Sequence, residues 1–398
     1  MRIVARWVFG GMIMAAFMLR APITAVPPLL ESISATLALS PTAAGLVTTL
    51  PLLCFGAFAF AAPFLTHRLG IEPALWLALM VLNLGMFVRL VVAPGPFFIG
   101  TMLVGVGIAV GNVVVPALAR SWFPAKLALV MGLYTVTITL SGASGPAVTA
   151  ALISRWEWGR IIATWIVPGL IALAVWSATS VMVRRARRGE AHHDPSPAGL
   201  GYVIRRPLSW IITGAMGLGS FAYYTLATWL PTRFASVGID EATGGLMLAA
   251  FNLLGLPGAF LVKYFTSTRT APRQLAVMWL TYASGAALLT VDATWAVTVG
   301  TIMTGVTQSI ALASSLTFIA HQADPRDVPG VSALAQGVGY MAASIGPVVV
   351  GAIYGAVGSV GPGFWVVMGV VLAAGTCSFT ACRELQHRMW GSPAERPA

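Results

Sequence analysis

Twelve stretches of mostly apolar residues, each long enough to cross a lipid core as a helix, dominate this chain of 398 residues. About 20 such residues span a hydrocarbon layer of ~30 Å. The stretches run at 7–30, 44–65, 74–92, 97–119, 127–152, 161–183, 208–231, 244–265, 273–290, 293–319, 329–355 and 361–381. In lipid every backbone amide and carbonyl needs an internal partner, so such stretches fold as helices. The expected fold class is an all-α membrane protein with twelve transmembrane helices. Only 9% of the residues are charged, against about a quarter in a soluble domain. A soluble enzyme, a disordered chain and a nucleic-acid module are excluded. Arg2 and Arg6 ahead of the first stretch resemble a secretory signal. The stretch is too long for one and lacks a small-x-small cleavage site, so it reads as span 1.

Loop charge sets the expected orientation. With both termini inside, 18 of the 23 Lys and Arg residues fall in inner segments and 3 (Arg155, Arg160 and Arg233) in outer loops. Arg20 and Arg89 fall within spans. Cytoplasmic loops carry the Lys/Arg excess, so both termini are expected in the cytoplasm. The +11 net charge then forms an inner collar facing anionic lipid rather than a nucleic-acid site. Cys54, Cys377 and Cys382 all lie in apolar stretches and read as small core residues.

The chain also repeats itself. At an offset of 201 residues, Leu52-Leu53 falls on Leu253-Leu254, Arg68 on Arg269, Pro124 on Pro325 and Gly145-Pro146 on Gly346-Pro347. The long basic loop from Arg184 to Arg206 separates six spans from six. The expected organisation is an N-terminal six-helix half (1–183), a cytoplasmic basic linker (184–207), a C-terminal six-helix half (208–383) and a cytoplasmic tail (384–398). Parallel six-helix halves joined by such a loop resemble the major facilitator superfamily. That resemblance implies a cavity between the halves near the bilayer midplane, lined mainly by spans 1, 4, 7 and 10. It also implies that spans 2, 5, 8 and 11 flank the cavity and rock. The loop from Pro63 to Gly70 resembles the superfamily's inner-loop signature, with His67 in place of the usual acid before Arg68. His67 and Arg68 are therefore expected inner-loop gating residues, as are Gly145, Pro146, Gly346 and Pro347 in spans 5 and 11.

The span interiors are poor in titratable groups. None of the twelve carboxylates and none of the five histidines sits at mid-membrane. Proton relays generally use those groups, so proton symport through a buried acid and cation transport are both disfavoured. No acid–base pair and no His/Cys/Asp cluster suggests catalysis or a metal. The chain is expected to be neither an enzyme nor dependent on a cofactor.

Arg20 is the exception. It lies about 14 residues into span 1, roughly 21 Å by helical rise. An arginine stays protonated and must face water, pair, or snorkel. Pro22 and Pro27-Pro28 follow it and predict a bent helix with freed carbonyls. Arg20 either coordinates an anion in the cavity or binds the freed carbonyls of a broken helix. Arg89, near the outer end of span 3, could snorkel to the headgroups.

Other polar residues mark candidate positions. In span 4, Gly107 and Gly111 form a small-xxx-small face, and Asn112 either contacts substrate or hydrogen-bonds a neighbouring helix. Tyr223 and Tyr224 in span 7 lie too deep for an interfacial belt, which Trp229 suits better. Span 10 offers Gln308 and Ser309. Span 11 carries Ser332, Gln336, Tyr340 and Ser344 as a stripe at +4. Span 5 has a run of hydroxyls from Tyr134 to Ser144.

Several strings are similar to one bacterial family, the cyanate/nitroimidazole transporters. They are Arg20-Ala-Pro-Ile-Thr-Ala-Val-Pro-Pro-Leu-Leu, Ala44 to Gly56, Gly105 to Pro116, Trp229-Leu-Pro231, and Gln336-Gly-Val-Gly-Tyr340 leading to Gly346-Pro347. The resemblance implies traffic of small anions such as cyanate, or of small nitro-heterocycles. The expected substrate-binding residues are Arg20, Asn112, Tyr223, Tyr224, Gln308, Gln336 and Tyr340. The expected setting is the bacterial inner membrane, with a lipid bilayer and a small, anionic substrate as partners, no nucleic acid, and a monomeric chain.

Overall fold

The structure, a computed structural model, describes residues 2–186, 200–266, 270–320 and 328–390. Arg187, Arg188, Pro195 and Pro197 of the basic loop lie outside the described residues, as do Arg269, Pro325 and the side chain of His67. Among the described residues the ordered elements are helices. They are α1 (Arg2–Met18), α2 (Ala21–Thr24), α3 (Leu30–Leu37), α4 (Pro41–Leu69), α5 (Ile71–Val88), α6 (Pro94–Trp122), α7 (Leu127–Leu152), α8 (Trp158–Ala163) and α9 (Ile166–Ala186). There follow α10 (Leu200–Val203), α11 (Pro207–Ser236), α12 (Glu241–Leu253), α13 (Leu256–Thr266), α14 (Ala271–Leu288), α15 (Thr294–Ala320), α16 (Val328–Val357) and α17 (Gly363–Trp390). Eight helical segments are long and apolar enough to cross a membrane, among them Pro94–Trp122 and Thr294–Ile319. The remaining predicted spans 5, 7, 8 and 9 are α7, α11, α12 with α13, and α14.

Local sequence explains the boundaries. Pro41, Pro94 and Pro207 stand in the first turn of α4, α6 and α11, where a missing N–H costs nothing. The Ser40 hydroxyl caps α4 by accepting from the Ala43 amide at 3.2 Å. Gly70, at φ +88°, ends α4 and starts α5 as a one-residue joint that a side chain would strain. Span 1 is broken as its prolines predict. α1 stops at Met18, α2 holds one turn, a 3-10 turn covers Pro27–Leu29, and α3 follows. Span 8 is broken between α12 and α13, where the Ser309 hydroxyl donates to the Gly255 carbonyl at 2.5 Å.

The chain divides into two compact units. One comprises Met1–Pro195 with Ile239–Asn252, the other Ser196–Gly238 with Leu253–Ala398. In the first unit, α5 and α6 meet through a glycine pair. A Cβ on Gly85 would lie 2.7 Å from the Gly100 carbonyl oxygen, and one on Gly100 2.7 Å from the Gly85 oxygen. In the second unit α14 and α15 repeat the device with Gly285 and Gly300, at 3.2 and 2.7 Å. These pairs are 200 residues apart, as are Ala93/Ala293 and Thr101/Thr301. The repeat is therefore in register at 201 over spans 2, 5, 8 and 11 but at 200 over spans 3/9 and 4/10. In lipid, small residues and backbone approach hold helices together, because no water is expelled. The contact points are what the repeat preserves.

The first unit also includes the leading part of span 8. A Cβ on Gly245 of α12 would lie 2.9 Å from the Ala150 Cβ and 3.2 Å from the Pro146 carbonyl oxygen of α7. Ahead of this contact, Glu241 precedes the apolar stretch that begins at residue 244. Its carboxyl is pushed up from the ordinary value, first by burial and then by the nearby Glu31 charge. A raised folded-state pKa favours the protonated form, so this contribution is present at low pH and lost as pH rises through the carboxyl's folded pKa. Glu241→Gln is expected to raise the melting temperature at neutral pH. The gain should shrink to nothing at about pH 4, near the ordinary carboxylate range. A melting series from acid to neutral pH checks this.

Candidate functional site

The break in span 1 is the local feature from which a site can be built. Ala21 follows the break, and in an unbroken helix its amide would donate to the Phe17 carbonyl. Here the Ser141 hydroxyl of α7 is inserted between them. It accepts from the Ala21 amide at 2.9 Å and donates to the Phe17 carbonyl. Further along, the Thr149 hydroxyl donates to the Ala25 carbonyl at 3.0 Å. Arg89 donates through Nη1 to the Pro22 carbonyl at 2.9 Å and through Nε to the Thr101 hydroxyl at 3.1 Å. The Arg20 carbonyl accepts from the Ile23 and Thr24 amides, each at 3.0 Å. The exposed backbone of the break is thus bonded by its neighbours, as the low-dielectric interior demands.

Arg20 itself stands at the N-cap of α2 and is half-buried. Tyr134 of α7 is within electrostatic reach of its guanidinium. Asn112 of α6 is also half-buried. It follows Gly111, where a Cβ would meet the Leu19 side chain at 2.5 Å. Asn112 is thereby carried beside the break, one residue from the Leu19–Arg20 junction. Gly107 faces a different helix, the Ala78 carbonyl and Leu82 of α5, so the two glycines serve separate contacts.

The other predicted substrate residues belong to the second unit. Tyr223, Tyr224 and Tyr340 form a chain of edge-on rings, with centroids 4.8 Å apart for the first pair and 6.3 Å for Tyr224 and Tyr340. Edge-to-face contact at these separations is the preferred geometry for aromatic pairs. Tyr282 of α14 is within electrostatic reach of Tyr223. Gln336 donates to the Ser332 hydroxyl at 2.8 Å within its own helix, while Gln308 is half-buried on α15. The structure thus sets Gly111, the neighbour of Asn112, against Leu19, the neighbour of Arg20, and brings Tyr223 together with Tyr224 and Tyr340.

The glycine–proline pairs of spans 5 and 11 have a packing role. A Cβ on Gly145 would meet the Thr24 hydroxyl, the Ala25 amide at 2.6 Å and the Ala21 carbonyl at 2.9 Å. A Cβ on Gly346 would meet the Thr225 hydroxyl and the Phe221 ring at 3.2 Å. Thr24 and Thr225 are themselves 201 residues apart. Pro146 and Pro347 are buried inside α7 and α16. At the inner loop, the Arg68 guanidinium lies over the Phe64 ring, 4.4 Å from its centroid.

Three sequence expectations are corrected. Arg89 does not snorkel to the headgroups: it is 1% exposed and bound to the Pro22 carbonyl. The Pro22 carbonyl is open to it because the Val26 amide donates to the Ile23 carbonyl instead, and that buried partner is nearer than water at the headgroups. Trp229 is no interfacial belt residue. It is buried, and its Nε1 donates to the Pro347 carbonyl at 2.9 Å. Arg233 is no loop charge: it is buried at the end of α11, donating to the Leu289 carbonyl at 2.8 Å and to Asp292 at 2.7 Å. Span 5 also holds what sequence reasoning passed over. Ser141, Gly145 and Thr149 recur at +4 and form a stripe along α7 that meets the break in span 1.

Comparison with known proteins agrees with this architecture. The family model for the Major Facilitator Superfamily matches residues 8–289 and 234–397. An uncharacterized transporter of Bacillus subtilis is 32% identical over 87% of this chain and 86% of its own length. The 2-nitroimidazole transporter of Escherichia coli is 31% identical over 88% of each chain. The cyanate transport protein of Escherichia coli is 27% identical over 61% of this chain and 62% of its own. Among solved structures, a bacterial homolog of the human lysosomal transporter Spinster matches in fold. It has a TM-score of 0.77 at 16% identity, covering 98% of this chain and 99% of that one. The fold is all-α, with twelve transmembrane helices in two six-helix halves.

Proposed function

We propose that the chain, which belongs to the Major Facilitator Superfamily, moves a small monoanion across the bacterial inner membrane by alternating access, with Arg20 holding the charge. The chain is a multi-pass membrane transporter of the cyanate/nitroimidazole type. The observation that supports Arg20 as the anion site concerns Arg89. An arginine deep in a broken span has two uses: to bind freed carbonyls or to face a ligand. At this break the carbonyl of Pro22 is bound by Arg89, and those of Phe17 and Ala25 by the hydroxyls of Ser141 and Thr149. Those three carbonyls thus have partners from α5 and α7, and the half-buried Arg20, a permanent charge deep in an apolar span, is read as the group that meets the substrate's charge. A guanidinium presents several fixed N–H donors, which suits a small oxyanion or cyanate.

Energetics narrow the mode. An anion entering an inside-negative cell opposes about 2.3 kcal/mol per 100 mV. With the span interiors free of carboxylates and imidazoles, exchange or facilitated movement fits better than proton symport through a buried acid. Both termini are assigned to the cytoplasm, on the Lys/Arg bias of the loops.

A second reading draws on the tyrosine chain of the second unit. Edge-on rings offer an apolar, polarisable wall for a neutral heterocycle, and one relative is named as a 2-nitroimidazole transporter. In that reading the chain exports such compounds, and changes at Tyr223, Tyr224 and Tyr340 outweigh changes at Arg20. The test is ligand-induced thermal stabilisation of purified wild type and Arg20→Ala protein against cyanate, formate, nitrite, acetate and 2-nitroimidazole. A monoanion shift that disappears in Arg20→Ala carries the first reading. A shift with 2-nitroimidazole alone, unchanged in the variant, replaces it with the second.

A further inference from the structure

We infer that Ser141 is a positioning residue for Arg20: its hydroxyl, inserted into the backbone of span 1, keeps the helix open at the residue that carries the charge. The inference rests on the anion-site reading of Arg20 and extends it to a residue that touches no substrate. Ser141 is buried, and both hydrogen-bonding directions of its hydroxyl are used. The Ala21 amide donates to it at 2.9 Å, and it donates to the Phe17 carbonyl. Phe17 and Ala21 are the i and i+4 partners that an unbroken helix would join directly. The hydroxyl takes the place of that one bond, and Arg20 is the residue before Ala21. A hydrogen-bonded wedge of this kind costs little in lipid, because no backbone group is orphaned.

The repeat supplies an internal control. Residues 201 positions on from Arg20, Ser141 and Thr149 are Phe221, Ala342 and Val350. In that half the arginine is absent, both hydroxyls are absent, and span 7 runs unbroken as α11 from Pro207 to Ser236. The glycine and threonine contact persists in both halves, Gly145 on Thr24 and Gly346 on Thr225. Packing of the two helices therefore does not need the hydroxyls. They accompany the break and the cation. With Ser141 lost, the Ala21 amide can bond the Phe17 carbonyl directly, and closing that turn reorients the residue between them.

The experiment reads the Arg20 guanidinium without a transported ligand. Full-length protein in nanodiscs is treated with p-hydroxyphenylglyoxal, and modification of each arginine is followed by mass spectrometry. Wild type should react at Arg20 and at the exposed Arg155 and Arg160, and not at the buried Arg89. Ser141→Ala should change the Arg20 rate at least threefold, leaving Arg155 and Arg160 unchanged. Ser141→Cys, nearly isosteric but a poor donor, should behave like Ser141→Ala. Ser141→Thr, which keeps the hydroxyl, should stay within twofold of wild type. Equal Arg20 rates in wild type and Ser141→Ala, zero included, overturn the inference. So does a wild-type rate in Ser141→Cys, which would make volume rather than hydrogen bonding the cause. So does a Ser141→Thr protein of unchanged melting temperature that reacts like Ser141→Ala. Failure of Arg20 as an anion site appears elsewhere, as an undiminished cyanate shift in Arg20→Ala.

Discussion

Cyanate is expected to stabilise wild type against heat, and Arg20→Ala protein is expected to lose most of that stabilisation. A hydrogen bond to a charged group contributes about 1.5–3 kcal/mol, and each 1.4 kcal/mol is tenfold in affinity. Loss of the guanidinium should weaken binding by about 10–100-fold. At a ligand concentration near 100 times Kd, binding stabilises the folded state by about 2.7 kcal/mol, and a hundredfold weaker site leaves about 0.4 kcal/mol. Arg20→Lys should fall between, because an ammonium keeps the charge but not the planar fork of donors. Uptake of labelled cyanate into proteoliposomes should follow the same order. Arg20→Ala protein that binds and transports cyanate as wild type does would remove Arg20 from the site.

Gly145→Ala is expected to be the most damaging single methyl group in the first unit's site region. Its Cβ would press on backbone at 2.6 and 2.9 Å, the Ala25 amide and the Ala21 carbonyl. It would also press on the Thr24 hydroxyl, which is held by the Arg20 and Ala21 carbonyls at 3.2 and 3.4 Å. Overpacking of this kind costs about 1–3 kcal/mol, and more where backbone must move. The strain falls on the turn that carries Arg20, so cyanate binding should drop along with the melting temperature. Gly346→Ala meets side chains instead, and the buried Thr225 hydroxyl has no hydrogen bond to lose on rotating away. Its loss of stability should be the smaller of the two. Gly132→Ala and Gly369→Ala, with nothing within 4 Å of the added carbon, should melt as wild type. Gly346→Ala as damaging as Gly145→Ala would mean that the side chains around Gly346 are as unyielding as backbone.

Much of the local structure around the candidate site was legible because its signals are one-dimensional. Arg20 stands out because a permanent charge deep in an apolar stretch is costly wherever the stretch ends up. The prolines after it predict the break, since a missing amide and a fixed φ act locally. Arg89, Trp229 and Arg233 were misplaced because depth along a span does not reveal which carbonyls come within reach. The partners of Arg89 are the Pro22 carbonyl, 67 residues away in the chain, and the Thr101 hydroxyl. Trp229 bonds a carbonyl 118 residues away. The Ser141–Gly145–Thr149 stripe was visible as spacing, yet spacing alone does not say what a stripe faces.

By itself the sequence determined that this chain spans a membrane twelve times, that it is built from a duplicated half, and that one cation lies deep in a broken helix. Each follows from hydropathy, periodicity or the covalent limits of proline, which act before any tertiary contact exists. Only the tertiary structure decided which groups satisfy that break. It also decided that Gly85 meets Gly100 and Gly285 meets Gly300, which gives the 200-residue offset of those pairs its meaning as a repeated helix contact. In lipid the hydrophobic effect does not choose between helix faces. Pairing is left to close backbone approach and to hydrogen bonds between residues remote in the chain, and those are settled by three-dimensional fit.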